Sequence, residues 1–251
     1  AGRVPISVQG LPHGVKVLRA VHGSRTDGAV FAVGDNGRVA RMAGADWTVM
    51  DTGVDQTLYD VWVFSANDVY AVGENGTFLH FDGSNWTSIP TGGTARFTSI
   101  WGASPNDVWL VGWGPVMLRY RNGTLESALP AEVPAAFNAP NGISATALDD
   151  VWVVDNDSVL RSDGQSWTQY PLVLPTGKFL RSIWAIGDGS AYALGNGDSS
   201  SGENSALWLG LTRTVALPVK GAVAITGLGT DVYVLSDKRL FHYAHDPARL
   251  P

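Results

Sequence analysis

The stretch Ile100–Gly112, IWGASPNDVWLVG, decides the fold of this chain because it returns. The clearest copy is Val61–Gly73, VWVFSANDVYAVG, which keeps an Asn-Asp-Val-aromatic-x-Val-Gly core almost letter for letter. Shorter copies stand at Asp27–Gly34 (DGAVFAVG), Asp149–Asp155 (DDVWVVD), Gly189–Gly195 (GSAYALG) and Thr230–Ser236 (TDVYVLS). The spacing is about 40 residues, and a strand-rich repeat of that length is the pattern of a propeller blade.

Working outward from the core gives one structural unit. A first strand (Leu58–Val63, Phe97–Gly102, Leu180–Ala185) is followed by a Ser/Pro/Asn/Asp loop and a second strand such as Val69–Val72. The turn Gly73-Glu74-Asn75-Gly76 comes next, and its Asn-Gly pair accepts positive φ and favours a tight hairpin. Thr77–Phe81 forms the third strand, and Asp82-Gly83-Ser84-Asn85 turns into a fourth that begins at Trp86. The expected fold class is therefore all-β: a six-bladed β-propeller of four-stranded antiparallel blades. The blades fall at about 15–56, 57–95, 96–135, 136–178, 179–221 and 222–251, in a single domain over residues 1–251. The last unit supplies three strands. Val4–Pro12 resembles Trp86–Pro90 and Trp167–Pro171, apolar strands that end in Pro, so residues 1–14 are expected to complete that blade and leave no open edge.

Repeats of the form SPNDVWxVG followed by DGxxW resemble the secreted β-propeller repeats of myxobacteria and related bacteria. The residues that carry the likeness are Ser104-Pro105-Asn106-Asp107-Val108-Trp109, Asp82-Gly83-Ser84-Asn85-Trp86 and Ser162-Asp163-Gly164-Gln165-Ser166-Trp167. The chain is more distantly similar to the Asp-box repeats of sialidase-type propellers, although the SxDxGxTW spacing is not reproduced. The resemblance implies a bacterial propeller that is extracellular or belongs to the cell envelope or periplasm.

Composition agrees with such a fold and narrows the partners. Of 251 residues, 45% are hydrophobic and 16% charged, with 30 Gly and 13 Pro, which suits many short strands joined by tight turns. A net charge of -6 offers no basic footprint for nucleic acid. No apolar run approaches the roughly 18 residues that cross a bilayer. The first residues, AGRVPISVQG, lack a signal-peptide core, which is compatible with a mature form whose leader has been cleaved. Zero Cys excludes disulfides, thiolate metal sites and thiol nucleophiles.

Residues repeated in most blades are expected to serve what every blade needs. Asp68, Asp107, Asp150 and Asp231, at the head of the second strand, are predicted to accept backbone N–H groups two residues on. Trp62, Trp101 and Trp184 in the first strand, and Trp47, Trp86 and Trp167 at the start of the fourth, are expected to pack between blades, with one sugar platform per blade as the rival reading. A third-strand column of Arg41, His80, Arg119, Arg161 and His242, with Trp208 in the fifth blade, is expected to pair with the Asp-bearing loops. Catalytic signatures are missing: there is no G-x-S-x-G elbow, H-E-x-x-H helix, phosphate loop or Rossmann glycine pattern. His242 and His245 would fall on opposite faces of a strand, so joint metal ligation needs a bend after Tyr243. No metal or cofactor is expected; Ca²⁺ at Asp35-Asn36 or Asp155-Asn156-Asp157 is the weak exception.

Departures from the repeat point to a site, because loops on a rigid scaffold carry binding. The third unit turns through Gly112-Trp113-Gly114-Pro115, placing an indole where other units carry Glu74 or Asp35. The fifth expands its turn over Asn196–Asn204, and the connections Val133–Pro140 and Leu172–Pro175 are long and apolar. These irregularities are expected on one face, with Trp113 and Phe137 as apolar platforms and Asp155, Asp157, Asp198 and Glu203 as polar contacts. The function expected is a non-catalytic module, a monomer, that presents this face to a protein or surface polymer. A lectin-like propeller is the alternative, and a glycan-cleaving enzyme a more distant one.

Overall fold

The computed structural model describes residues 17–44, 46–130, 137–172, 179–195, 206–209, 214–217, 219, 222–228, 231–236 and 239–244. All regular structure among them is β-strand, and no helix is long and apolar enough to cross a membrane. The strands make six antiparallel sheets, five of four strands and one of three. The expected closing strand at Val4–Pro12 lies outside the described residues.

The chain divides into two compact units, residues 1–105 and 106–251. The first holds β1 (Leu18–Gly23), β2 (Val30–Gly34), β3 (Val39–Ala43) and β4 (Asp46–Met50), then β5 (Leu58–Ser65), β6 (Asp68–Gly73), β7 (Phe78–Phe81) and β8 (Trp86–Ser88), and ends with β9 (Arg96–Ser104). Each sheet is a meander in chain order, as alternating apolar runs joined by short turns require. Between β2 and β3, and between β6 and β7, Asn36-Gly37 and Asn75-Gly76 all have positive φ. This is the turn whose twist matches the flanking strands. Gly76 is constrained twice, since a Cβ there would lie 2.1 Å from the Gly93 carbonyl that the turn packs against.

The core of the first unit lies between its two complete sheets. Phe31, Val33 and Val39 of the first meet Leu58, Val61, Val63, Val69, Ala71, Leu79 and Phe81 of the second. The opposite face of the first sheet is barer: Leu18 is exposed and Val21 is 65% exposed, whereas Leu58 and Val61, at the same register in β5, are buried.

The second unit begins with β10 (Asp107–Trp113), β11 (Val116–Arg121) and β12 (Thr124–Ser127). It continues with β13 (Gly142–Ala145), β14 (Val151–Val154), β15 (Ser158–Ser162) and β16 (Trp167–Pro171), then β17 (Leu180–Ala185), β18 (Ala191–Gly195), β19 (Ala206–Leu209) and β20 (Thr214–Leu217). The three-stranded sheet is β21 (Ala222–Leu228), β22 (Asp231–Ser236) and β23 (Leu240–Ala244). Trp152, Val154 and Val159 pack on Leu180, Ile183, Ala191 and Ala193. Tyr192 and Leu194 pack in turn on Val232 and Val234. Leu235 and Leu240 of the last sheet are exposed, although Leu194 at the corresponding place in β18 is buried.

One irregularity recurs and shapes the sites below. The first strands β1, β5, β17 and β21 each carry a bulge at their second residue: Arg19, Tyr59, Arg181 and Val223. A bulge leaves one residue out of the pairing and redirects it. It falls beside the end of the sheet where the second strand turns into the third, called the rim below.

Candidate binding site on the rim

The repeated charges are consumed inside their own sheets. His80 Nε2 meets Asp68 Oδ1 at 2.9 Å, Arg119 forms a bidentate pair with Asp107 at 2.7 and 2.6 Å, Arg161 Nε donates to Asp150 at 3.2 Å, and His242 Nε2 meets Asp231 at 2.9 Å. Register explains the match: His80 faces Tyr70, Arg119 faces Trp109, Arg161 faces Trp152 and His242 faces Tyr233, each two residues beyond the Asp. The aromatic ring is also used. His80 and His242 stack on their tyrosines, and Arg119 and Arg161 lie over their tryptophans at 4.8 and 5.2 Å. Arg41 keeps the ring, Phe31 at 5.6 Å, because Ala29 stands where four of the other five sheets carry Asp.

His80, Arg119, Arg161 and His242 thus pair as expected and Arg41 does not, and the reason given for the aspartates needs correcting. Asp68, Asp107, Asp150 and Asp231 receive side-chain donors from the third strand. Capping of backbone N–H groups falls to the turn aspartates: Asp82 accepts Ser84 and Asn85, and Asp163 accepts Gln165 and Ser166. These backbone donors hold both carboxyls below their ordinary pKa.

Trp62, Trp101, Trp184, Trp86 and Trp167 of the two tryptophan columns are packing elements. Trp62 stacks on His22 at 4.3 Å and approaches Trp101 at 6.2 Å; Trp86 packs on Phe81, and Trp109 on Trp167. Gly102 is required beneath this stack, since a Cβ there would lie 2.3 Å from Phe64 and 3.0 Å from Trp62. Two half-buried titratable groups join neighbouring first strands. Asp60 accepts Ser99 Oγ and the Ile100 N–H, and burial pushes its carboxyl up to about 6. His22 accepts the Val63 N–H through Nδ1; burial, aided by Arg25, lowers its imidazole to about 4.

On the rim the repeat breaks, and the two units differ. In the first unit, Arg19 bonds Asp35 at 2.9 Å. Tyr59 donates its hydroxyl to Glu74 at 2.7 Å, and Arg96 reaches the same carboxylate at 3.0 Å while lying 5.3 Å from the Tyr59 ring.

In the second unit the corresponding positions form a closed hydrogen-bonded circuit. Trp113 Nε1 donates to Asn141 Oδ1 at 3.0 Å, and Asn141 Nδ2 donates to Asn156 Oδ1 at 3.1 Å and to the Leu180 carbonyl at 2.8 Å. Asp155 accepts the N–H groups of Asn156, Asn138 and Ala139 at 2.5, 2.8 and 3.2 Å. The Asn138 carbonyl then accepts the Gly114 N–H at 3.2 Å, returning to the tryptophan turn. Asp155 occupies the place that Gly34 and Gly73 hold in other sheets, so its carboxylate is aimed inward, and burial raises its pKa.

Of the six residues expected to contact ligand, the circuit includes Trp113 and Asp155, while Phe137 adjoins its Asn138 and Asp157 its Asn156 in sequence. Trp113 is 48% exposed and Asp157 is exposed. Phe137 is 1% exposed, so it is a core side chain and not a platform; an apolar loop residue of that size gains more by burial. Asp155 is also 1% exposed, its oxygens taken by backbone donors, and it is a loop anchor rather than a ligand contact. Asp198 and Glu203 lie outside the described residues, as does much of the Val133–Pro140 connection. Sequence reasoning missed Asn138 and Asn141, and read Asn156 only as part of a Ca²⁺ turn. The signal was present: Asn141 immediately precedes β13 where β1 and β5 carry their bulged Arg19 and Tyr59, and three asparagines cluster where the repeat is weakest. Among the described residues no group of three or more His, Asp or Glu is placed to hold a metal.

The fold is that of the β-propellers. The chain superposes on virginiamycin B lyase from Staphylococcus aureus, a catalytically inactive H270A form with quinupristin, with a TM-score of 0.76 at 13% identity over 92% of this chain and 81% of that one. It superposes on YCF48 bound to D1 peptide with a TM-score of 0.66 at 14% identity, covering 91% of this chain and 78% of that one. The extracellular domain of BT4673 from B. thetaiotaomicron gives 0.68 at 13% identity, over 96% of this chain and 35% of that one. No protein-family profile and no curated protein sequence matches the chain.

Proposed function

We propose that this chain is a non-catalytic binding module that presents the Trp113 rim to a protein or surface polymer outside the cell or in its envelope. The carrying observation is the contrast in how polar groups are used. The carboxylates and cations repeated through the sheets neutralise one another, as in Arg119–Asp107, whereas Trp113 stands half exposed on a scaffold of interlocked amides. A large ring held rigidly at a surface is the kind of residue that dominates binding energy. YCF48, of the same fold, is bound to a peptide, which supports a protein partner, and the extracellular domain of BT4673 supports the location.

The test compares rims. Labelled protein applied to intact bacterial cells and to isolated envelopes is expected to bind, and Trp113→Ala is expected to abolish binding while Arg96→Ala leaves it intact. Equal binding by wild type and Trp113→Ala overturns the site. Turnover of any substrate in a broad panel of fluorogenic glycosides, with the activity lost in a rim variant, overturns the non-catalytic reading.

The architecture proposed with this function is a single domain over residues 1–251: a ring of six blades, monomeric, with residues 4–12 as the fourth strand of the last. What supports closure is the bareness of Leu18 and Val21 on the first sheet and of Leu235 and Leu240 on the last, at positions that other sheets bury. Deletion of residues 1–12 is expected to lower Tm by about 10 °C or more. An unchanged melt sinks the closure.

A further inference from the structure

We infer that Asn122, at the tip of the β11–β12 hairpin, is a site of self-modification. Its side-chain amide is lost through attack by the Gly123 nitrogen and addition of water, leaving isoaspartate or aspartate. The inference does not depend on the rim. It comes from comparing four Asn-Gly pairs among the described residues: Asn36-Gly37, Asn75-Gly76, Asn122-Gly123 and Asn141-Gly142. Asn196-Gly197 lies outside them.

The chemistry needs an asparagine followed by a residue that leaves room for ring closure, which glycine does best. The glycine nitrogen gives up its proton to hydroxide and attacks the asparagine Cγ. The new C–N bond closes a five-membered imide, and the side-chain nitrogen departs as ammonia. Water then opens either carbonyl of the imide. One opening leaves an aspartate, and the other routes the backbone through the side chain as isoaspartate. The sum is one water consumed and one ammonia released.

Three of the pairs share one local conformation, so the backbone at the pair does not distinguish them. Asn36, Asn75 and Asn122 have φ of 58°, 53° and 48°, and the glycines that follow have 62°, 70° and 86°. Each pair fills the centre of a tight turn. The Arg38 N–H closes the first on the Asp35 carbonyl, the Thr77 N–H closes the second on the Glu74 carbonyl, and Arg121 pairs with Thr124 across the third.

What surrounds the turn separates them. The Gly37 N–H donates to the Gln56 carbonyl at 2.8 Å, and the Gly76 N–H to the Ala95 carbonyl at 2.7 Å. An N–H that donates is held in its neutral form, which suppresses the nucleophile in both turns. In the third turn the outside bond falls one residue earlier: the Asn122 N–H donates to the Asn106 carbonyl at 3.1 Å. The Gly123 N–H makes no hydrogen bond among the described residues. Arg121, Asn122, Gly123 and Thr124 are all exposed, so hydroxide and water reach the pair. Asn141 is protected differently. Its Nδ2, the leaving nitrogen, donates to Asn156 and to the Leu180 carbonyl, its Oδ1 accepts Trp113, and Gly142 is buried.

Isoaspartate adds one backbone atom to a two-residue turn. That turn's length sets the register of β12, the outer strand of its sheet.

The experiment incubates the full chain at mildly alkaline pH and follows the four asparagines by peptide mapping with fragment-ion mass spectrometry. In the folded chain Asn122 is expected to convert on the order of tenfold faster than Asn36 or Asn75, the factor a single hydrogen bond supplies. Asn141 is expected to stay intact. Incubation in urea is expected to bring Asn36, Asn75 and Asn122 to similar rates. Conversion at Asn36 or Asn75 as fast as at Asn122 in the folded chain overturns the inference. A ranking that survives unchanged in urea also overturns it, because the selectivity then belongs to neighbouring residues and not to the fold. The modified chain, separated from its parent by the added negative charge, is expected to melt below Asn122→Asp, which carries that charge on an unextended backbone. Equal melts overturn the effect on the hairpin.

Discussion

The two rims occupy the same place in the repeat and solve it with different chemistry. In the first unit, the turn residues Asp35 and Glu74 face Arg19, Tyr59 and Arg96, and the result is a set of exposed ion pairs around one phenol ring. In the second, Trp113 and Asn156 stand at those turn positions, Asn141 takes the place of the bulged residue, and a buried Asp155 replaces the glycine that ends the second strand. Exposed ion pairs gain little in water and are screened by salt. A buried carboxylate that accepts three backbone N–H groups is worth much more, because its loss strands all three donors in a dry site. The comparison teaches that a repeat protein can hold one rim by weak, exposed charges and another by a locked network that fixes one aromatic ring.

The largest test of that contrast sets Asp155→Ala against Glu74→Ala. Loss of Asp155 is expected to cost about 3 kcal/mol in denaturant unfolding, and loss of Glu74 less than about 1 kcal/mol. Equal effects would dissolve the distinction between the rims.

The repeated pairs provide a graded series. Asp150 accepts Arg161, Trp152 Nε1 and Thr146 Oγ1 with only 10% of its side chain exposed, whereas Asp231 is 46% exposed beside His242. Alanine at Asp150 is expected to cost about 2 kcal/mol, and at Asp231 about 0.5 kcal/mol or less. Asp107 and Asp68 should fall between them in that order, as their exposures of 13% and 25% require.

A smaller effect appears with pH. His22 sits below its ordinary pKa, at about 4, so the unfolded chain takes up that proton first, and the stability it confers above 6.5 is lost as pH falls toward 4. Asp60 sits above its ordinary value, at about 6, so the folded chain takes up that proton first, and the penalty of its buried charge is relieved as pH falls from 6 toward 3.8. The two oppose each other in one window. Relative to wild type, His22→Gln is expected to make Tm hold better from pH 7 to pH 4, and Asp60→Asn to make it fall faster. Parallel Tm profiles for all three would refute the assignment.

The smallest effect belongs to the ion-paired rim. Arg96→Ala is expected to cost about 0.5 kcal/mol at low salt, and 1 M NaCl should erase most of it. In the amide-locked rim, Asn141→Ala should show no such salt dependence.

Much of the fold was legible because strand repeats declare themselves locally. The Asn-Gly turns at 36–37 and 75–76 adopt positive φ, and the four-stranded meander follows the chain order read from Val61–Gly73. The basic third-strand column was also legible, because register in a hairpin is set by its turn and places His80 opposite Tyr70 without reference to anything distant. The rim was legible only in part. Trp113 announced itself by replacing an acid, but Phe137 and Asp155 were read as surface groups when both are buried.

What the residues alone determined is the all-β meander, its tight turns and its charge pairing, since each of these depends on neighbours within about one hairpin. Which polar groups face inward was decided by the tertiary structure. Asp155 and Asn141 acquire their partners from loops and strands 15 to 39 residues away, at Asn138, Asn156 and Leu180. Burial is a property of what packs across from a residue, and no local pattern carries that information. The same carboxylate that reads as a ligand contact in the chain becomes, once a second sheet and a returning loop close over it, the anchor that holds Trp113 in place.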